Sequence, residues 1–244
     1  MINVPYAGIL TAGGMKRRPG GVFRIPVAVL FLLLFSGHHG VVCAGGNDDL
    51  KKAVAGVEAR YAAVETVAGS FRQTYRAPGI EQVESGVFWM KRPGLMRWEY
   101  RYPEEKLFVA DGKESFLYVP AERQVQVYTF GIADLRNTPL AILLGAEDIN
   151  KRYIVSREAV EAETDDGVIV IRLTPRDEDH AYSHLLLGLD RNNYDIRRVV
   201  VREHGGNTSE FHFSDVAVNM KVDNDKFRFR PPRDAEVIRL DINN

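Results

Sequence analysis

Residues 84–103 have the sequence ESGVFWMKRPGLMRWEYRYP, which predicts two strands joined by a tight turn. In the second strand Met96, Trp98 and Tyr100 alternate with charged side chains, and this period of two is typical of a half-buried strand. The Pro-Gly pair at 93–94 is a strong turn signal and ends the apolar run before it. Neighbouring strands that are joined by such short turns are expected to pair antiparallel.

Arg92, which directly precedes the turn, is a charged residue at a position where the pattern predicts an apolar one. It shares the parity of Phe88 and Met90, so its side chain is expected on the apolar face, at the point where that face ends. A guanidinium group at the rim of an apolar surface needs hydrogen-bond partners. The sequence therefore predicts that some other part of the chain meets Arg92.

The same alternation recurs along most of the chain and predicts a mainly β (α+β) protein. The candidate strands are residues 69–76, 82–90, 95–102, 106–110, 115–119, 124–129, 153–159, 168–175, 183–190, 196–203 and 208–214. An amphipathic helix is predicted at about 49–64, and residues 131–150 have a helical pattern that starts at Thr138-Pro139. We expect an incomplete antiparallel β-barrel of about 11 strands, with an N-terminal helix and a helical lid.

Bulky apolar side chains fall on the face that is expected to point inward. They are Phe88, Met90, Met96, Trp98, Tyr100, Val125, Val127, Ile171, Leu173, Leu185, Leu187, Val199 and Phe211. In the predicted lid, Leu140, Ile142, Leu143 and Leu144 make the helix apolar on every side. A filled barrel core explains this pattern, and so does an apolar cavity, because a barrel of about 11 strands is wider than one that side chains fill. The residues alone leave both interpretations open.

Residues 1–44 predict a secretory signal peptide, followed by a single domain over 45–244. Basic residues at 16–18 precede an apolar run at 25–35, and small residues favour cleavage after Ala44. Residues 1–14 carry no charge and add nothing to this pattern, so we expect the true start at Met15. The apolar run is too short for a stable membrane anchor. Lipidation of Cys43 is the alternative, although the residues before it match a lipidation signal poorly.

Charge and motifs argue against several classes of function. Of the 32 basic side chains four lie in 1–44, so residues 45–244 carry 28 against 33 acidic ones, without a basic block for nucleic acid. Neither a Gly-x-Ser-x-Gly motif nor a phosphate-binding glycine loop is present. His180 and His184 are the best metal candidates, but their charged, loop-like segment favours a solvated connector. We predict no enzyme activity, no metal and no cofactor.

Several short motifs, taken together, resemble the family of the outer-membrane lipoprotein carrier LolA. They are residues 70–73, 86–94, 96–100, 103–105, 109–113, 116–120, 137–140, 173–176 and 227–232. They follow the order of the family over about 48–240.

This resemblance implies a monomeric periplasmic carrier with a hydrophobic cavity for acyl chains. Such carriers accept lipoproteins from an inner-membrane ABC transporter and pass them to an outer-membrane receptor or to the membrane itself. The resemblance also implies that Arg92 is a latch that hydrogen-bonds the backbone of the lid. A lipid-anchored receptor or a lipoprotein-sensing domain of the same fold is the alternative function.

Overall fold

A computed structural model of the protein describes residues 46–129, 138–144, 149–158, 167–177 and 182–240. The predicted signal peptide, Cys43 and His180 lie outside these residues, as do residues 131–137 and 145–148 of the segment predicted to be helical.

The described chain begins with helix α1 and continues mainly as strands. Helix α1 is Gly46–Ala62, and the first six strands are β1 (Thr66–Ala77), β2 (Ile80–Lys91), β3 (Leu95–Tyr102), β4 (Lys106–Ala110), β5 (Glu114–Val119) and β6 (Gln124–Thr129). A 3-10 helix at Pro139–Leu144, which we name the lid helix, is followed by the short helix α2 (Ile149–Arg152). The later strands are β7 (Tyr153–Arg157), β8 (Val168–Pro175), β9 (Tyr182–Asp190), β10 (Ile196–Glu203), β11 (Thr208–Val218) and β12 (Glu236–Leu240). Short 3-10 turns occur at Pro120–Glu122 and Asn224–Phe227.

The twelve strands form one open sheet in the order β12-β6-β5-β4-β3-β2-β1-β11-β10-β9-β8-β7. Strand β1 lies between the two halves, and Phe71 pairs with Gly86 of β2 on one side and with Phe213 of β11 on the other. All neighbours are antiparallel except β12, which pairs parallel with β6. The prediction of an incomplete β-barrel with an N-terminal helix is confirmed.

Strand β12 was missed by the sequence analysis. Its side chains are mostly exposed, so it lacks the alternation of apolar and polar residues by which the other strands were recognised. The lid helix also differs in type, because its six residues form a 3-10 helix instead of an α-helix.

Aromatic rings fill the centre of the concave face of the sheet. The ring of Trp98 lies 4.8 Å from that of Phe71, 4.9 Å from that of Phe88 and 5.9 Å from that of Phe211, measured between centroids. These side chains are buried, and the apolar stripe of α1 joins the same cluster through Val57. Helix α1 therefore covers part of an apolar face that the open sheet would otherwise expose.

Val125 and Val127 lie on the other face of the sheet, so their assignment to the interior was wrong. They are buried in a second cluster with Val109 and Phe116, against which Phe229 of the C-terminal segment packs. Alternation places apolar residues on one face of a strand but does not say which face is the interior. In β6 the apolar face is the outer one, which the C-terminal segment covers, and Gln124 and Gln126 fall on the inner face.

Because the chain has two tryptophans on neighbouring strands, its interior can be tested with a matched pair of variants. Trp98 is 0% exposed, whereas Trp89 is only half-buried, on the other face, where the Lys226 ammonium lies 3.6 Å from its ring centroid. We expect Trp98→Ala to lower the free energy of unfolding by about 3–5 kcal/mol, the usual range for removing a buried Trp. Trp89→Ala should lower it by clearly less in the same urea titration. Equal losses would contradict the packing described here.

Candidate functional site

Four segments meet at the rim of the concave face: the end of α1, the end of β2, the lid helix and the start of α2. Pro139 is suited to the first position of a helix, and the leucine-rich residues after it carry no polar side chain to solvate. The four predicted lid residues are all buried, with Leu143 1% exposed. The lid helix packs against β1 and β10, and its side chains join the apolar cluster of the sheet.

Arg92 binds the backbone of two of these segments. Its Nε donates a hydrogen bond of 2.7 Å to the carbonyl of Leu144, the last residue of the lid helix. Its terminal nitrogens donate longer bonds to the carbonyls of Tyr61, at 3.4 Å, and Ala62, at 3.3 Å. The last carbonyls of a helix lack intrahelical partners and carry partial negative charge, so a guanidinium with five donors suits this position. Arg92 thus joins the end of the lid helix to the end of α1.

Glu58 makes a second contact between α1 and this part of the chain. Its Oε1 accepts a hydrogen bond of 2.7 Å from the backbone nitrogen of Ile149, the first residue of α2. The sequence does not predict this contact, because Glu58 falls on the polar side of the amphipathic α1, where a carboxylate is expected to face solvent. The carboxylate bonds a backbone group, and the sequence carries no signal for which backbone group that is. The chain on both sides of residues 145–148 is therefore held next to α1.

Helix α1 is itself fixed to the sheet at the same end. The hydroxyl of Tyr61 accepts a bond of 3.1 Å from the backbone nitrogen of Ile196, and Arg60 forms an ion pair of 2.7 Å with Asp195. Burial raises the pKa of Tyr61 above its usual value, so the phenol keeps its proton at neutral pH. The attachment of α1 to the start of β10 therefore does not depend on the lid helix.

Comparisons with known proteins identify the family of this chain. A model of the family "Outer membrane lipoprotein carrier protein LolA" matches residues 62–230. The chain belongs to this family. An outer-membrane lipoprotein carrier protein of Cupriavidus pinatubonensis is 30% identical over 85% of the chain and 94% of the relative. One of Bordetella pertussis is 33% identical over 73% of the chain and 82% of the relative. A solved LolA-superfamily protein, NE2245 from Nitrosomonas europaea, matches with a TM-score of 0.41 at 12% identity, over 74% of the chain and 97% of that structure.

Apart from Val125 and Val127, the residues predicted to line the cavity of this LolA-family protein lie in one buried cluster. The residues brought together there are Phe88, Met90, Met96, Trp98, Tyr100, Ile171, Leu173, Leu185, Leu187, Val199 and Phe211, with Leu140, Ile142, Leu143 and Leu144 of the lid helix. Their role in binding acyl chains stays a prediction, and so does the role of Arg92 as a latch.

The described residues also bear on metal binding and on membrane-spanning helices. Within them no group of three His, Cys, Asp or Glu side chains is placed to hold a metal ion. His184 lies 3.0 Å from a guanidinium nitrogen of Arg172, and burial together with this cation lowers the pKa of its imidazole. None of the helices in the described parts of the chain is long and apolar enough to cross a membrane.

Because Arg92 bonds the lid helix, we expect the lid helix to open more often when the guanidinium is removed. Hydrogen bonds from a charged donor contribute about 1.5–3 kcal/mol when buried, and for the partly exposed Arg92 we take about 1–2 kcal/mol. Arg92→Leu should therefore raise the amide hydrogen exchange of residues 140–144 about 5- to 30-fold. Arg72→Leu, an exposed site on β1, is the matched control and should leave this exchange unchanged. Equal exchange in wild type and Arg92→Leu would show that Arg92 does not hold the lid helix.

Proposed function

We propose that this LolA-family protein is a periplasmic carrier, which shelters the acyl chains of lipoproteins on the way from the inner to the outer membrane. The observation that carries the proposal is a buried apolar cluster whose cover, the lid helix, is tied to the body by the backbone contacts of Arg92. The proposed activity is binding and transfer, without a chemical reaction, metal or cofactor.

A carrier of acyl chains needs an apolar interior. Each acyl methylene group exposed to water costs about 0.8 kcal/mol, so an acylated polypeptide needs an apolar shelter to leave a membrane. Aromatic rings, branched aliphatic side chains and the flexible thioethers of Met90 and Met96 can supply it. Such a mixed surface adapts to tails that differ in length and packing.

The structure represents a closed state in this interpretation. The interior rings contact one another and the lid residues are buried against them, so an acyl chain has to displace the lid helix. Contacts that favour the closed state lower the affinity for cargo by the same free energy. A contribution of about 1–2 kcal/mol from Arg92 would weaken binding about 5- to 30-fold. The carrier would then hold its cargo firmly enough for transit and still release it.

Transfer from the inner to the outer membrane requires a partner at each membrane. We propose that an inner-membrane ABC transporter loads the open form, and that an outer-membrane receptor, or the outer membrane itself, takes the cargo. The mild excess of acidic over basic side chains in residues 45–244 disfavours nucleic acid as a partner. We propose that the carrier works as a monomer, because one copy of the chain supplies the sheet, α1 and the lid helix.

Native mass spectrometry and transfer to acceptor liposomes test the proposal directly. Protein purified from the periplasm should carry acylated polypeptide, and wild type should pass a fluorescent diacylated lipopeptide to liposomes. Arg92→Leu should bind this lipopeptide about 5- to 30-fold more tightly, because the closed state no longer competes with cargo, and should transfer it more slowly. Arg72→Leu should match wild type in both assays. Failure of wild type to bind the lipopeptide would end the proposal, whereas normal transfer by Arg92→Leu would remove only the role of the latch.

The proposed location predicts the mature N-terminus. Cleavage after Ala44 would leave a chain that starts at Gly45 and contains no cysteine, since Cys43 is the only one in the sequence. We expect intact-mass spectrometry of the exported protein to give the mass of residues 45–244 without a lipid. A mature chain that starts at Cys43 with an attached lipid would favour the anchored receptor instead.

A further inference from the structure

The concave face carries a charged pair at the end opposite to Arg92. Glu84 of β2 and Lys106 of β4 form an ion pair, although their side chains are only 2% and 6% exposed. The amide of Gln82 also donates a bond of 3.0 Å to Oε1 of Glu84. On β2 the inward positions run from Met90 through Phe88 and Gly86 to Glu84, and Arg92 directly follows the strand. A cation therefore lies on one side of this apolar stretch and an anion on the other.

Neighbouring strands change from apolar to polar at the same level. On β1, Gln73 pairs with Glu84, one inward position beyond Phe71. On β3 and β4, Tyr100 pairs with Lys106, one inward position beyond Trp98 and Phe108. The hydroxyl of Tyr100 donates a bond of 3.2 Å to Oε1 of Gln73, and the Lys106 ammonium lies 4.9 Å from the Tyr100 ring centroid. Four adjacent strands therefore form one polar group, which we name the polar floor: Gln73, Glu84, Tyr100 and Lys106.

Two atoms of the polar floor have unused hydrogen-bonding capacity. Nε2 of Gln73 and Oε2 of Glu84 are buried and make no hydrogen bond within the described residues. An alkyl chain that reached them would cover polar atoms without bonding them, and it would have to separate a buried ion pair in order to pass. Both changes are strongly unfavourable in an apolar surrounding.

We propose that the polar floor is the end stop of the acyl-chain site and limits the length of acyl chain that the carrier accepts. This inference rests on the proposed function, because it assumes that acyl chains enter beneath the lid helix. Between Met90 and Glu84 the inward face of β2 extends roughly 20 Å, at about 3.3 Å per residue. One leaflet of a bilayer core is about 15 Å thick, so this length fits a single extended acyl chain.

The test replaces the ion pair with apolar side chains of similar size, in the double variant Glu84→Leu/Lys106→Met. Such replacements of buried ion pairs are often tolerated. The probes are N-acyl-Cys-Ser peptides that carry lauroyl, myristoyl, palmitoyl, stearoyl or arachidoyl chains, and the readout is the dissociation constant of each. In wild type we expect affinity to rise about fourfold per methylene and then to level off. In the double variant the affinity should continue to rise with acyl chains that are longer than this limit.

Two controls separate the end stop from a general change in stability. The charge-swapped variant Glu84→Lys/Lys106→Glu keeps an ion pair and should keep the wild-type length limit. Glu158→Leu/Arg172→Met removes a partly exposed pair at the Arg172 position of β8, which faces away from Ile171 and Leu173, and should also keep it. If the main variant does not fold, Gln73→Leu extends the apolar surface next to the pair and should shift the limit in the same direction.

The outcomes distinguish the two proposals. A length limit that is the same in wild type and in the apolar variants would overturn the end stop while leaving the carrier function intact. Absence of binding to every acyl peptide in wild type would overturn both.

Discussion

An open sheet with Phe88, Trp98 and Phe211 on one face cannot leave that face in water, because the cost of exposing so many apolar side chains would exceed the stability of a typical domain. The need to cover this face accounts for the position of α1, whose apolar stripe is buried there. It also accounts for the lid helix, which is too apolar to be stable as a free segment. The cover therefore consists of two separate helices, α1 and the lid helix, which are not part of the sheet.

Polar contacts at the rim hold the cover against the rest of the chain. Arg92 bonds the last carbonyl of the lid helix, and Glu58 bonds the first amide of α2. Both are contacts of a single side chain with the backbone, in contrast to the continuous hydrogen-bonded ladders of the sheet. In the proposed function, a change of one of these side chains would alter the balance between closed and open states while the twelve strands keep their pairing. For a carrier this separation is useful, because binding strength can be adjusted without loss of the fold.

The sequence predicted most of the fold, because alternation in β2 and β3 survives in the structure residue by residue. It also placed Arg92 at the rim of the apolar face, since parity fixes the side on which a strand residue points. It failed at Val125 and Val127, because the apolar face of β6 is the outer one, covered by the C-terminal segment, and parity alone does not name the interior. Strand β12 was missed because it is an exposed edge, and Glu58 because a bond to a distant backbone amide leaves no pattern in the sequence.

The central position of β1 has a consequence for how the protein forms. Phe71 pairs with Gly86 nearby, but its other neighbour, Phe213, is synthesised roughly 140 residues later, and pairings of such long range slow folding. The sheet therefore cannot be completed until nearly the whole chain is available. Until β11 is in place, the apolar face of β1 lacks one of its two neighbours, and such incomplete sheets are prone to aggregate.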